Sequence, residues 1–102
     1  MTNKLLAGLR PVHPGEILRE DVFPGLNKPM AELARLLGTS RTTLYAIMNG
    51  EQSVTSDMAL KIAKLIGTTP EMWMNLQQAY DLRMSEERLA EELKSIPTLE
   101  YA

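Results

Sequence analysis

A chain of 102 residues without cysteine is the size of one domain, large enough to remove about two-thirds of its unfolded surface from water, and it excludes disulfide frameworks, thiolate zinc sites and thiol nucleophiles. The net charge of −2 is segregated, because residues 1–50 carry six Lys/Arg against four Asp/Glu and residues 51–102 carry five against nine. A modestly basic half suits a polyanion, whereas the acidic half is repelled by phosphate and is expected to face solvent or a basic partner.

The N-terminal apolar stretch over residues 5–9 is interrupted by Gly8 and is far too short for a secretory leader or a membrane span. The expectation is a soluble, unprocessed, cytoplasmic protein without membrane contact. Apolar residues recur at intervals of three and four, never in sustained alternation, so the chain reads as all-α with six helical segments. Pro14 suits a first helical position and Pro24-Gly25 is expected to stop the first helix near Phe23, with Ile17, Leu18 and Val22 on one face. A second helix is predicted over 29–37, with Met30, Leu33, Ala34 and Leu37 inward and Gly38 as its stop. Thr39 is then expected to cap a third, over 40–49, that ends at Gly50.

Thr55 and Asp57 mark the start of a fourth helix whose stripe is Met58, Ala59, Ile62, Ala63 and Ile66. Thr69-Pro70-Glu71 opens a fifth, carrying Met72, Trp73, Leu76 and Tyr80 and expected to end near Met84. Ser85-Glu86-Glu87 is read as the start of a short acidic sixth helix with Leu89, Ala90 and Leu93, and nothing after Pro97 signals structure. The expected organisation is an N-terminal arm over 1–12, a domain over 13–84, and an acidic helix and tail over 85–102.

Two short helices joined only by Gly38-Thr39-Ser40 have the layout of a helix-turn-helix, although any tight hairpin of helices also needs a glycine turn. The helical wheel separates the two readings. At about 100° per residue, Leu44 and Ile47 point one way while Thr42, Ala46 and Asn49 point the other, flanked by Arg41 and Tyr45 on one side and Thr43 on the other. A narrow face of small and polar residues fits the major groove, where Arg41 can make a bidentate contact to guanine and Thr42 or Ala46 can meet a thymine methyl. Ser40 and Thr43 equally suit capping or phosphate contact, Tyr45 suits packing at the rim, and Lys28 suits the DNA backbone or plain solvation. Asn49, before a glycine at a helix end, is weighted towards a capping role.

At these residues the chain resembles the phage-repressor or XRE-like helix-turn-helix family, and with its flanks it is similar to HigA/VapI-type antitoxins. The resemblance is carried by "RPVHPGEILRED", by "ELARLLGTSRTTLYAIMNG" and by "SVTSDMALKIAKLIGTTPEMWMNLQQAYDL", which together cover most of residues 10–83. It implies a five-helix phage-repressor-like domain, here with an additional short C-terminal helix. It also implies a homodimer on a palindromic operator that represses its own operon and silences a RelE-like toxin which cleaves mRNA on the ribosome. The recognition helix then maps onto residues 40–49, with Arg41, Thr42, Tyr45 and Ala46 facing DNA. One departure is visible: the wider pattern prefers a polar cap and then Gln at the start of helix 2, where this chain has Pro29 and Met30.

Trp73, Leu76 and Tyr80 form a stripe at helical spacing that suits core packing and is expected to supply part of a dimer interface. Dimerisation matters because two-fold pairing sets recognition helices about 34 Å apart on successive major grooves. A stand-alone repressor of the same fold, and an interaction module that no longer binds DNA, are the alternatives. Nothing in the sequence indicates an enzyme, a cofactor or a metal site: His13 has no triad or ligand spacing around it, and its place beside Pro14 at a helix start suits a structural role. The Glu86-Glu87 and Glu91-Glu92 pairs read as a solvated face or as a contact for a basic toxin.

Overall fold

The computed structural model describes residues 11–101, so most of the expected N-terminal arm over 1–12 lies outside the described residues. Helix α1 starts at Pro14–Ile17, passes through a π-helical turn at Leu18–Val22 and continues as Phe23–Leu26. It is followed by α2 (Met30–Leu36), α3 (Arg41–Met48), α4 (Ser56–Ile66), α5 (Pro70–Arg88) and α6 (Ala90–Lys94). The described residues contain no strand, and the all-helical architecture agrees with the periodicity.

Pro24 does not end α1 as the sequence suggested. The wide turn at residues 18–22 inserts an extra residue, and Phe23 N–H bonds Leu18 O. Pro24 therefore stands in the first turn of a new α-segment, where its missing N–H is harmless. The helix stops three residues later, at Asn27, the one non-glycine residue with positive φ (54°) among those described.

The helix-turn-helix joint is built by hydrogen bonds. Gly38 (φ 65°) donates to Arg35 O at 3.1 Å and Thr39 to Ala34 O at 2.9 Å, the paired bonds of a Schellman ending that requires a left-handed residue after the helix. Thr39 is thereby still part of the cap of α2, so the N-cap of α3 is Ser40 and not Thr39. Its backbone is extended and its hydroxyl oxygen accepts Thr43 N–H at 3.0 Å. The same ending recurs after α3, where Gly50 N–H bonds Ile47 O at 3.0 Å and Glu51 N–H bonds Ala46 O at 2.9 Å.

The inward faces of α1 to α5 meet in one core. Leu18, Leu33, Leu37, Leu44, Ile47, Val54, Ala59, Ile62 and Trp73 are each at most 1% exposed, and full burial of one large aliphatic side chain contributes about 1.5–3 kcal/mol relative to exposure. Trp73 fills the centre, and its indole N–H, which burial would otherwise leave unsatisfied, donates to Thr68 Oγ1 at 2.8 Å.

Helix α5 does not end near Met84, and the boundary expected at 84/85 falls inside a continuous helix. Ser85 and the glutamates cap a helix only if the backbone breaks there, and no glycine or proline forces a break. The i,i+4 pair of Arg83 and Glu87, 3.1 Å apart, straddles the site instead. The break comes at Leu89 (φ −97°, ψ 7°). From Ala90 to Tyr101 every residue is exposed, which gives the molecule its length of 53 Å against 28 and 25 Å across.

Candidate nucleic-acid interface

Helix α3 buries Leu44, Ile47 and Met48 and leaves Arg41, Thr42, Tyr45 and Asn49 exposed, with Thr43 and Ala46 half-buried. The face predicted from the wheel is therefore the solvent face. Arg41 occupies the first turn and makes no ion pair among the described residues, so its guanidinium is free to meet a base edge or a phosphate. Tyr45 stands 47% exposed beside it. Ser40 is committed as the cap, and its hydroxyl also donates to Thr43 Oγ1 at 3.0 Å. Thr43 accepts that bond and keeps its own O–H to give to an acceptor outside the protein.

Asn49 is the C-cap of α3, as its place before a glycine suggests, its N–H bonding Tyr45 O at 2.9 Å. Gly50 (φ 75°) takes the left-handed position, and the Asn49 side chain stays exposed at the end of the reading face. Lys28 lies just before α2 and pairs with Glu32 at 3.7 Å. Both groups are partly exposed, so the pair is weak and easily exchanged for a phosphate.

A recognition helix of eight residues cannot hold its own position, and the structure shows what fixes it. Gly15 of α1 lies so close to the carbonyl of Ile47 that a Cβ would overlap the oxygen. Arg19 donates to Met48 O at 3.1 Å, satisfying a last-turn carbonyl with a cation placed where the helix dipole favours one. His13 caps α1, its Nδ1 accepting Gly15 N–H at 2.9 Å, and Tyr80 of α5 meets the imidazole edge-on at 4.9 Å between ring centroids. Burial holds the His13 pKa below its usual value, against opposing pulls from Asp81, a backbone hydrogen bond with Gln52, and Glu16. A neutral imidazole is what the Nδ1 acceptor role needs.

In the loop that follows α3 the support comes from Gln77 of α5, which is 4% exposed. It accepts Val54 N–H at 2.8 Å and donates to Asp81 Oδ1 at 2.9 Å, tying the loop that leaves α3 to α5. The sequence pointed to His13 as structural and did not single out Gln77. The signal for Gln77 was a polar residue four positions after Trp73 on an inward helical face. For Arg19 no sequence signal existed, because its partner lies 29 residues away.

Among the described residues no group of His, Asp or Glu converges to hold a metal ion, and no helix is long and apolar enough to cross a membrane. Trp73 is 1% exposed in this chain's own core and offers nothing to a second copy. Leu76 packs against the same core and Tyr80 is half-buried on His13.

A short helix with a capped start, a braced end, an apolar back and a polar front, preceded by a helix at a glycine turn, defines a helix-turn-helix DNA-binding protein. The helix-turn-helix family profile matches residues 25–73. Antitoxin HigA-1 of Vibrio cholerae is 36% identical over 90 residues, 88% of this chain and 85% of that protein. Virulence-associated protein I of Dichelobacter nodosus is 36% identical over 76 residues, 74% of this chain and 70% of that one. The solved structure of antitoxin GraA in complex with its operator superposes with a TM-score of 0.82 at 40% identity, covering 99% of both chains. The chain belongs to the XRE-like helix-turn-helix family of DNA-binding regulators, in its HigA and VapI branch.

Proposed function

We propose that this protein is a sequence-specific DNA-binding antitoxin without enzymatic activity. It binds a palindromic operator as a homodimer, represses its own operon and neutralises a RelE-like mRNA-cleaving toxin in the bacterial cytoplasm. The observation that carries the DNA-binding part is the free face of α3: Arg41, Thr42, Tyr45 and Asn49 are exposed, with Ala46 half-buried among them, on a helix whose back lies in the core and whose end is braced by α1. Arg41 and Thr42 read bases, Thr43 and Lys28 contact phosphates, and Ser40 sets the helix start. The antitoxin part is supported by the relatives, which include an antitoxin and an antitoxin held on its operator.

Two measurements test it. Co-expression of the adjacent toxin-sized reading frame should arrest growth, and this chain should relieve the arrest. Purified protein should shift its own promoter fragment and leave scrambled DNA unshifted. Promoter binding without relief would make the protein an autonomous repressor.

A further inference from the structure

Residues 28–50, from the approach to α2 to the end of the recognition helix, carry three cations, Lys28, Arg35 and Arg41, and a single acid, Glu32. That carboxylate serves two of the three. Its Oε2 lies 3.7 Å from Lys28 Nζ and its Oε1 3.9 Å from Arg35 Nη2, whereas Arg41 makes no ion pair among the described residues. The local sequence explains why Glu32 is available. It is the third residue of α2, the position from which a glutamate usually reaches back to the N–H of the capping residue; the cap here is Pro29, which has no N–H to give. The helix dipole favours a carboxylate in this first turn, and the side chain turns to the two cations instead.

We infer that Glu32 sets the sequence-independent part of this protein's affinity for DNA, as a positioning residue that acts through Lys28 and touches no base. The inference rests on the DNA-binding reading, in which the first helix of the pair crosses the sugar-phosphate backbone while the second enters the groove. Binding to arbitrary sequence comes almost wholly from cations that neutralise phosphates, and Lys28, just before α2, is placed for that contact. A phosphate reaches Lys28 by displacing Glu32. Once it has done so the carboxylate remains one helical turn away and repels it. Arg35 is muted by the same group.

The division of charge follows the division of labour. Arg41 arrives free for a base edge, while the cations for the backbone arrive partly neutralised. Glu32 therefore lowers the affinity for any DNA by one common factor and leaves the preference among sequences to Arg41 and Thr42. Both separations exceed that of a direct charge-assisted hydrogen bond, so the pairs open readily and Lys28 is delayed but not denied to a phosphate. Exposed pairs of this kind contribute little to folding. The effect of Glu32 accordingly belongs to binding and its salt dependence, and hardly at all to stability.

The test titrates fluorescent operator and scrambled DNA at several salt concentrations with the full chain and its variants. Glu32→Gln keeps the shape and removes the charge. It should bind both DNAs about two- to fivefold more tightly at low salt, the range open to a weak exposed pair, with a salt slope steeper by up to about one counterion and an unchanged melting temperature. Glu71→Gln makes the same change of net charge on α5, at a glutamate without an ion pair among the described residues, and should leave both quantities close to those of the natural protein. On a Lys28→Ala background Glu32→Gln should gain less, because the pair that it releases is already gone. A Glu32→Gln chain that binds no better than Glu71→Gln, that gains on the operator alone, or that gains as much without Lys28 would each overturn the proposal. A natural protein that binds neither DNA removes the DNA-binding reading, and this inference with it. One that binds its operator while Glu32→Gln changes nothing removes this inference alone.

Discussion

Gly15 sits against the carbonyl of Ile47, so that at this point the backbone of α1 meets the backbone of the last turn of the recognition helix. A glycine inside a helix ordinarily destabilises it by about 0.5–1 kcal/mol relative to alanine, which makes the sign of a substitution informative.

Gly15→Ala should therefore destabilise the protein despite its better helix propensity, by about 1–3 kcal/mol, the usual cost of overpacking. For a domain of this size that corresponds to a melting temperature lower by roughly 4–8 °C per kcal/mol, measured by thermal circular dichroism. A neutral or stabilising result would mean that α1 is free to move away from α3.

Gln77→Leu keeps volume and removes the acceptor of the buried Val54 N–H. Leaving such a donor unsatisfied costs about 1–3 kcal/mol. Chemical denaturation should show this loss, and Val54 should lose hydrogen-exchange protection beyond the global change.

On the reading face, Arg41→Ala and Thr42→Ala should each lower the preference for the operator over a sequence altered at the contacted base. The expected loss is about 1–3 kcal/mol for a bidentate arginine and less for the threonine. Lys28→Ala should weaken binding evenly across sequences and reduce the salt dependence by about one counterion. Titration of fluorescent operator at several salt concentrations separates these effects, and melting temperature should stay within the range of surface substitutions.

Stability should fall in mild acid through His13. Its folded-state pKa lies below the ordinary 6.5 because burial disfavours the charged form, with Asp81 and Glu16 pulling the other way. Between the folded and unfolded values the unfolded chain binds more protons, so the stabilisation is complete above about pH 6.5 and is lost as pH falls through the lower, folded value. His13→Asn keeps an oxygen for the Gly15 N–H without titrating, and its melting temperature should be flatter across that window. Equal slopes would remove His13 as the source.

Much of this protein was legible before its structure. Caps, glycines and apolar periodicity placed the helices because those signals are local, and a wheel of ten residues separated the buried side of α3 from its free side. The errors were also local in origin. Pro24 and Ser85 read as boundaries because each marks a helix end in isolation, but a wide turn absorbs the first and an ion pair across the helix overrides the second. Thr39 reads as a cap because the sequence does not reveal where a Schellman ending hands over to the next helix.

By itself the sequence determined the helical class, the turn at Gly38 and the polar face from Arg41 to Asn49, since each depends on residues a few positions apart. Only the tertiary structure decided how that face is held. Gly15 against Ile47, Arg19 on Met48 and Gln77 on Val54 join positions 23 to 32 residues apart, and no periodicity encodes which backbone group a distant side chain will satisfy. It also turned the Trp73 stripe inward and left Gln78 and Leu82 outward, because packing against α1 and α4 chooses the buried face.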